Sequence, residues 1–285
     1  MTFPKLVTSR RRCLYFDNMQ PTNCPNCEAT LQPAFDYCPA CGQGTHLHRI
    51  NGKHLAHELL HFFTHADKGI FLLIKELAVR PGVVAREYIA GRRKKYFNPL
   101  NFFFIVIGLF VLTITSFHTF QRPSNFSAQR EGVQRISDIT TRTRILAKLD
   151  RAEEATGFME RYANLVTIVV TPLVAFIFLL FYPRPYNFSE HLIANLYLAG
   201  FVGVVFIIVI APMMSFLPGS YSLLGIGIYF LFMITYRSVA YYQFIGKEGT
   251  GAKWKAFTAS FIGVVSWALL SQGAMMYYIN HGFKI

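Results

Sequence analysis

The stretch from His54 to Tyr96 reads HLAHELLHFFTHADKGIFLLIKELAVRPGVVAREYIAGRRKKY, and it connects a cysteine-rich head to a series of long apolar segments. Apolar residues recur at helical spacing until Arg80-Pro81-Gly82 interrupts the pattern, because proline cannot continue a helix. We therefore expect helices over Ile70–Val79 and Val83–Ala90. Together they form a helical hairpin that is too polar and too short to span a bilayer, so residues 46–97 are predicted to lie against the membrane interface.

The composition indicates a membrane protein. Of the 285 residues, 53% are hydrophobic and 15% are charged, whereas a soluble domain carries about 25% charged residues. Segments of spanning length follow the hairpin within residues 98–285. The sequence thus predicts an all-α polytopic fold of about five transmembrane helices, with approximate spans 98–120, 162–182, 190–211, 217–236 and 256–279.

Charge sets the predicted topology. Fourteen Lys and Arg residues precede the first span, which places the N-terminus in the cytoplasm and, after five spans, the C-terminus outside. The loop 121–161 is then external, although it carries eight basic residues against six acidic ones, and its 134–155 section is predicted to be helical. If one of the apolar stretches were re-entrant and did not cross the membrane, the loop 121–161 would instead lie in the cytoplasm.

Four cysteines in the head have metal-ligand spacing. Residues 1–20 are polar and basic without periodicity and are predicted to be a flexible arm. Residues 21–45 contain Cys24-Pro-Asn-Cys27 and Cys38-Pro-Ala-Cys41. Two such turns supply four thiolates to one zinc ion, which leaves no open coordination position. The head is therefore predicted to be a small β-hairpin ribbon with a structural zinc.

The string His57-Glu58-Leu59-Leu60-His61 has the form of a metalloprotease helix. Histidines four residues apart lie on one helical face and can bind one zinc, while Glu58 could act as general base. Such a site needs a further ligand, and the candidates in this sequence include His65, Glu190 and His191. The alternative is that this string arose by chance in a juxtamembrane helix.

The net charge of +13 is concentrated near the predicted span ends. The run from Arg92 to Lys95 is best explained by topology and by anionic lipid headgroups, so we do not expect a nucleic-acid partner. Asn195 and Gln272 are predicted to be hydrogen-bond partners between spans. No charged pair is apparent at membrane depth, and such a pair is the usual mark of a coupled transporter.

Several motifs together resemble a known family. They are CPNC and YCPACGQ in the head, HELLHFFTHADKGIFLLIKELAVRPG, REYIAGRRKKYFNPL, and NFSEHL at 187–192. This combination resembles a domain-of-unknown-function family of bacterial membrane proteins with an N-terminal zinc ribbon. The resemblance implies a location in the bacterial inner membrane and implies no activity.

The sequence is compatible with three functions. The first is a scaffold or regulatory subunit whose cytoplasmic zinc ribbon docks a protein partner, and the sequence leaves a homo-oligomer open. The second is a zinc-dependent membrane hydrolase, acting on peptides or lipids, that uses the 57–61 segment and a second zinc. The third, with least support, is a channel or transporter subunit. The sequence favours the first.

Overall fold

A computed structural model of the protein describes residues 22–32, 34–45, 49–52, 69–117, 123–216 and 222–282. These residues form nine α-helices and one π-helical segment. Outside the helices, the head contains two isolated antiparallel bridges, Asn23 with Thr30 and Tyr37 with Gly44. The predicted hairpins of the head are thus present as single bridges and not as extended strands.

Two short helices form the predicted hairpin. Helix α1 spans Ile70–Val79 and helix α2 spans Pro81–Ile89, with Arg80 between them. The break occurs at this point because proline disfavours helical geometry in the preceding residue yet suits the first position of a new helix. Leu73, Leu77, Val84 and Ala85 are fully buried. The hairpin therefore packs its apolar face against the longer helices.

Helix α3 spans Pro99–Phe117, and the side chain of Asn98 caps its first turn by accepting from Leu100 N–H at 2.9 Å. Helix α4 spans Pro123–Gln134 and α5 spans Ile139–Phe181. The predicted loop 121–161 is thus largely helical. Its second part is continuous with the second span across a kink at Tyr162.

The third span is interrupted near its end. Helix α6 spans Phe188–Val205 and continues through the π segment Phe206–Ile210 into α7, Ala211–Phe216. At its start Asn187 and Glu190 form a reciprocal capping box, which satisfies backbone groups that the helix leaves free. Helix α8 spans Ser222–Ile245, and helix α9 spans Thr250–His281.

Among the residues that the structure describes, five helices are long and apolar enough to cross a membrane. The candidate spans are Pro99–Ser116, Asn164–Phe181, Phe188–Met213, Leu224–Ile245 and Thr250–His281. The prediction of an all-α fold with five helices of spanning length and composition is confirmed for the described residues, and this is compatible with a multi-pass membrane protein. The fourth span, predicted as 217–236, continues to Ile245, and the fifth, predicted to begin at 256, begins at Thr250, so the connection between them is much shorter than predicted. Arg237 marks the predicted end but lies inside α8, where it is buried.

The helices define two ends of the bundle. At the head end, the head lies against the residues just before α3, and the α1–α2 hairpin lies against α6 and the end of α8. At the far end, the start of α5 meets the end of α9, where Arg151 Nε donates to the Ile279 carbonyl at 2.7 Å. Helix α2 contacts both α6 and α8. It thereby fills the space between these two spans at the head end.

Candidate functional site

The four cysteine thiols of the head converge. All four Sγ atoms lie within 4.8 Å of one another, with 3.6 Å from Cys24 to Cys41 and 3.6 Å from Cys27 to Cys38. Tetrahedral zinc with bonds of about 2.3 Å sets its sulfur atoms roughly 3.8 Å apart, whereas a disulfide requires about 2.05 Å. The spacing fits four ligands around one metal ion. Four cysteines that could hold a metal are therefore in place, and zinc suits this donor set.

Two similar backbone turns bring the thiols together. The Cys24 carbonyl accepts from Glu28 N–H, and the Cys38 carbonyl accepts from Gly42 N–H, each at 2.8 Å. Glu28 and Gly42 occupy matching positions with φ of 65° and 70°. This left-handed geometry suits glycine and strains other residues, so the second turn is the less strained of the two.

The protonation of the thiols differs within the cluster. Burial raises the pKa of Cys24. Burial has the same effect at Cys41, but there hydrogen bonds from the backbone of Gln43 and the side chain of Asn26 outweigh it and lower the pKa to about 7. A divalent metal would deprotonate the coordinating thiols outright. With four thiolates bound, the ion would have no open position, so its role would be structural.

The chain that follows the head is attached to the third span. Arg49 makes a two-point contact with the carboxylate of Glu190, with Nε to Oε1 and Nη2 to Oε2 both at 2.9 Å. Asn187, which caps the same helix, donates to the Ile50 carbonyl at 3.1 Å. Two-point arginine–carboxylate contacts fix orientation as well as distance. The linker after the head is therefore held at the start of α6.

The head itself contacts the basic run before the first span. Gln43 Oε1 accepts from the backbone N–H of Lys94 at 3.0 Å. Arg92 Nη2 lies 3.5 Å from the Glu28 carboxylate. Gln43 is buried, and it follows Cys41 by two residues. This contact therefore connects the metal-binding turn directly to the membrane domain.

The carboxylate of Glu87, near the contact between the head and the basic run, is surrounded by cationic side chains and a hydroxyl group. It accepts from Lys95 Nζ at 2.9 Å and from the Tyr96 hydroxyl at 2.6 Å, with Arg80 and Arg92 within 3.7 Å. Burial alone would raise the pKa of Glu87, but the bonds from Tyr96 and Lys95 outweigh it and lower the pKa. Arg92 and Lys95 thus have partners within the protein, and their predicted contact with lipid headgroups stays a prediction.

The predicted second metal site is only partly described. His57, Glu58, His61 and His65 lie outside the described residues. Glu190 bonds to Arg49, and His191 is buried with Nε2 3.0 Å from the Tyr182 carbonyl. Within the described ranges, the metal-binding group consists of the four cysteines. The second zinc therefore stays a prediction, and Glu190 and His191 have other partners.

A buried polar cluster lies deeper in the bundle. Arg237 Nη1 donates to Asn195 Oδ1 at 2.9 Å, and Asn195 Nδ2 donates to the Tyr241 hydroxyl at 2.7 Å. The prediction that Asn195 bonds between spans is thus confirmed. Arg237 was missed because a charge beside an apolar segment resembles a span end. The sequence did contain a sign that the helix continues past Arg237. No charge occurs in the nine residues that follow it, Ser-Val-Ala-Tyr-Tyr-Gln-Phe-Ile-Gly.

Comparison with known proteins gives one match. No curated protein and no solved structure matches the chain. Residues 67–111, which include the α1–α2 hairpin, the basic run and most of α3, match the model of a family described as a protein of unknown function, DUF3667.

Proposed function

We propose that this chain is a multi-pass protein of the bacterial inner membrane whose zinc-stabilised head is a fixed docking platform for a protein partner. In this role the chain acts as a scaffold or regulatory subunit. The observation that carries the proposal is the attachment of the head to the spans. A head fixed to the bundle can transmit the binding of a partner to the membrane domain, whereas a freely tethered head could not.

The contacts that attach the head come from separate parts of the chain. Arg49 bonds to Glu190 at the start of α6, and Gln43 bonds to the backbone of Lys94 before α3. Gln43 and Arg49 both follow Cys41 in the sequence, and their partners lie at the starts of two different spans. Two attachments of this kind restrain both the translation and the rotation of the head.

The chemistry of the head favours a protein partner. Residues 22–45 contain Glu28 and Asp36 but no Lys or Arg, and four thiolates on a divalent metal add further negative charge. Nucleic-acid binding depends on cationic groups that neutralise phosphates. Tyr37 in the head is 70% exposed, and exposed aromatic residues are enriched at protein interfaces. We therefore propose a protein and not a nucleic acid as the partner.

Charge also supports the proposed orientation. The head end carries the basic run Arg92–Lys95 together with Lys247, Lys253 and Lys255, which flank the start of α9. Basic residues at span ends favour the cytoplasmic side and anionic headgroups. We therefore propose that the head, the N-terminus and these residues face the cytoplasm, and that the C-terminus lies outside.

Site-specific photo-crosslinking in the cell's own membranes tests the proposal. A photoreactive amino acid at Tyr37 is expected to give one discrete heavier adduct. The matched control is Ile139, which is 67% exposed but lies at the far end of the bundle, and it should not give that adduct. Cys38→Ser should abolish the Tyr37 adduct while the protein remains in the membrane. Equal adducts at both positions, or none at Tyr37, would contradict the proposal.

A further inference from the structure

The membrane domain encloses a partly open cavity of about 470 Å³. All five candidate spans contribute to its wall, which is mostly aliphatic and aromatic, as at Val106, Val170, Phe206, Phe230 and Val264. Cavities of a few hundred cubic ångströms with apolar walls and a few polar groups are typical ligand sites. The size and lining of this cavity would suit a hydrocarbon chain.

One charged residue lies in the wall of this cavity. Arg237 is only 7% exposed and lines the cavity from α8. A guanidinium carries five N–H donors. Among the described residues, one of them is bonded, to Asn195 Oδ1, and the buried Nε has no partner there. Across the described ranges, no carboxylate lies within 4.0 Å of Arg237.

An unpaired cation at this position is energetically unfavourable. Removing a charge from water costs several kcal/mol unless an opposite charge or hydrogen bonds compensate for it. Charged residues inside membrane domains therefore have counter-ions and commonly mark ligand sites. Because Asn195 supplies a neutral oxygen only, the remaining donors of Arg237 are available to an anion in the cavity.

A second donor in the cavity wall is also without an acceptor. Trp267 lines the cavity from α9, and its buried indole Nε1–H has no hydrogen-bond partner among the described residues. Buried polar groups without partners are rare in proteins and call for an explanation. The Trp267 ring packs on Phe230 with centroids 6.0 Å apart, two helical turns from Arg237 on α8, so this donor lies further along the cavity than the guanidinium.

The position of the guanidinium is fixed by groups behind it. Asn195 is held by its two donor bonds, to the His191 carbonyl at 2.9 Å and to the Tyr241 hydroxyl at 2.7 Å. The ring of Tyr241 stacks on Phe178 with centroids 3.5 Å apart. Supporting contacts of this kind keep a binding group in place and reduce the entropy lost on binding.

We propose that this cavity binds an amphiphile with an anionic carboxylate or phosphate head at Arg237 and a hydrocarbon chain along the apolar wall. A cation would be repelled by Arg237, and a hydrophilic anion would leave the apolar wall in contact with water. A neutral lipid would leave the guanidinium unpaired. This inference goes beyond the docking role of the head and does not depend on it.

Fluorescence quenching in the full-length protein tests the proposal. The chain has two tryptophans, so Trp254→Phe leaves Trp267 in the cavity as the sole reporter. Dibrominated stearate, whose bromine atoms quench indole at short range, is titrated into protein in a fixed non-ionic detergent. Parallel titrations use its methyl ester, dibrominated stearoyl lysophosphatidic acid, and inorganic phosphate as a competitor.

We expect saturable quenching by the carboxylate or the phosphate amphiphile, and whichever binds more tightly identifies the head group. The methyl ester should quench without saturation, and inorganic phosphate alone should not displace the lipid. Arg237→Met should weaken binding by about ten- to a hundredfold, as expected for the loss of a charge-assisted hydrogen bond. Arg144→Met, at an exposed position on α5, is the matched control and should bind as the parent does.

Two results would overturn the proposal. The first is a methyl ester curve that equals that of the acid, and the second is unchanged affinity in Arg237→Met. Melting temperatures without lipid separate binding from folding, because removal of an unpaired buried charge should leave the stability unchanged or raise it. Arg237→Lys keeps the charge and should retain part of the affinity, whereas affinity equal to that of Arg237→Met would contradict a role for the charge.

Discussion

A close contact between α2 and α8 gives a specific prediction at Gly82. A Cβ atom at this position would lie 1.9 Å from the Ala240 carbonyl oxygen and 2.5 Å from the Phe244 nitrogen, both of which are backbone atoms of α8. The Gly82 N–H also donates to Gln243 Oε1 at 3.1 Å. Because backbone atoms of a helix cannot rotate away, Gly82→Ala must push α2 away from α8 by roughly 1 Å in a close-packed interior.

The cost of this displacement can be worked out from its parts. Overpacking in a well-packed core costs about 1–3 kcal/mol, and the weakened hydrogen bond to Gln243 adds about 1 kcal/mol. The total of about 2–4 kcal/mol corresponds to a fall in melting temperature of roughly 4–16 °C. Thermal unfolding in a fixed detergent, followed by the loss of helical circular dichroism, measures it.

Gly227 provides the matched control on α8. Within the described part of the chain, no atom lies within 4 Å of a Cβ built there, and alanine is favoured over glycine inside a helix by about 0.5–1 kcal/mol. Gly227→Ala should therefore melt at the same temperature as the parent or slightly higher. If Gly82→Ala behaved as Gly227→Ala does, the close contact between α2 and α8 would be refuted.

Three further predictions concern the head end. We expect about one zinc per purified chain, lost in Cys38→Ser; about two zincs in the parent and one in His57→Ala/His61→Ala would instead establish the second site. Arg49→Ala should speed amide hydrogen exchange in residues 22–45 by a few-fold, because a half-exposed ion pair contributes at most about 1 kcal/mol of stability. Arg184→Ala should leave the exchange rates unchanged. Because the folded pKa of Glu87 is lowered, its contribution to stability is complete above the unfolded value of about 4.3 and is lost as pH falls through the folded pKa. Melting temperatures measured from pH 6 downward should therefore fall less steeply in Glu87→Gln, and parallel curves would contradict this reading.

Local features of this protein could be predicted from its sequence. The CxxC spacing defines tight turns, and the turns with their thiols follow from residues close together in the chain. Proline at position 81 ends one helix and starts the next, because its effect on the backbone is local. The five long apolar helices follow from length and composition alone, and five candidate spans are present, although the fourth ends nine residues later than predicted.

Only the tertiary structure shows which charged residues are buried and which groups they contact. Arg49 and Glu190 are 141 residues apart and Gly82 and Gln243 are 161 apart, so no local pattern could pair them. The predicted fourth span stops at 236, just before Arg237, and a charge is costly in an apolar environment unless other residues solvate it. Whether it is solvated depends on Asn195 in another helix. The sequence by itself therefore determined the helices and the cysteine turns, and only the packing of the helices decided which polar groups are buried.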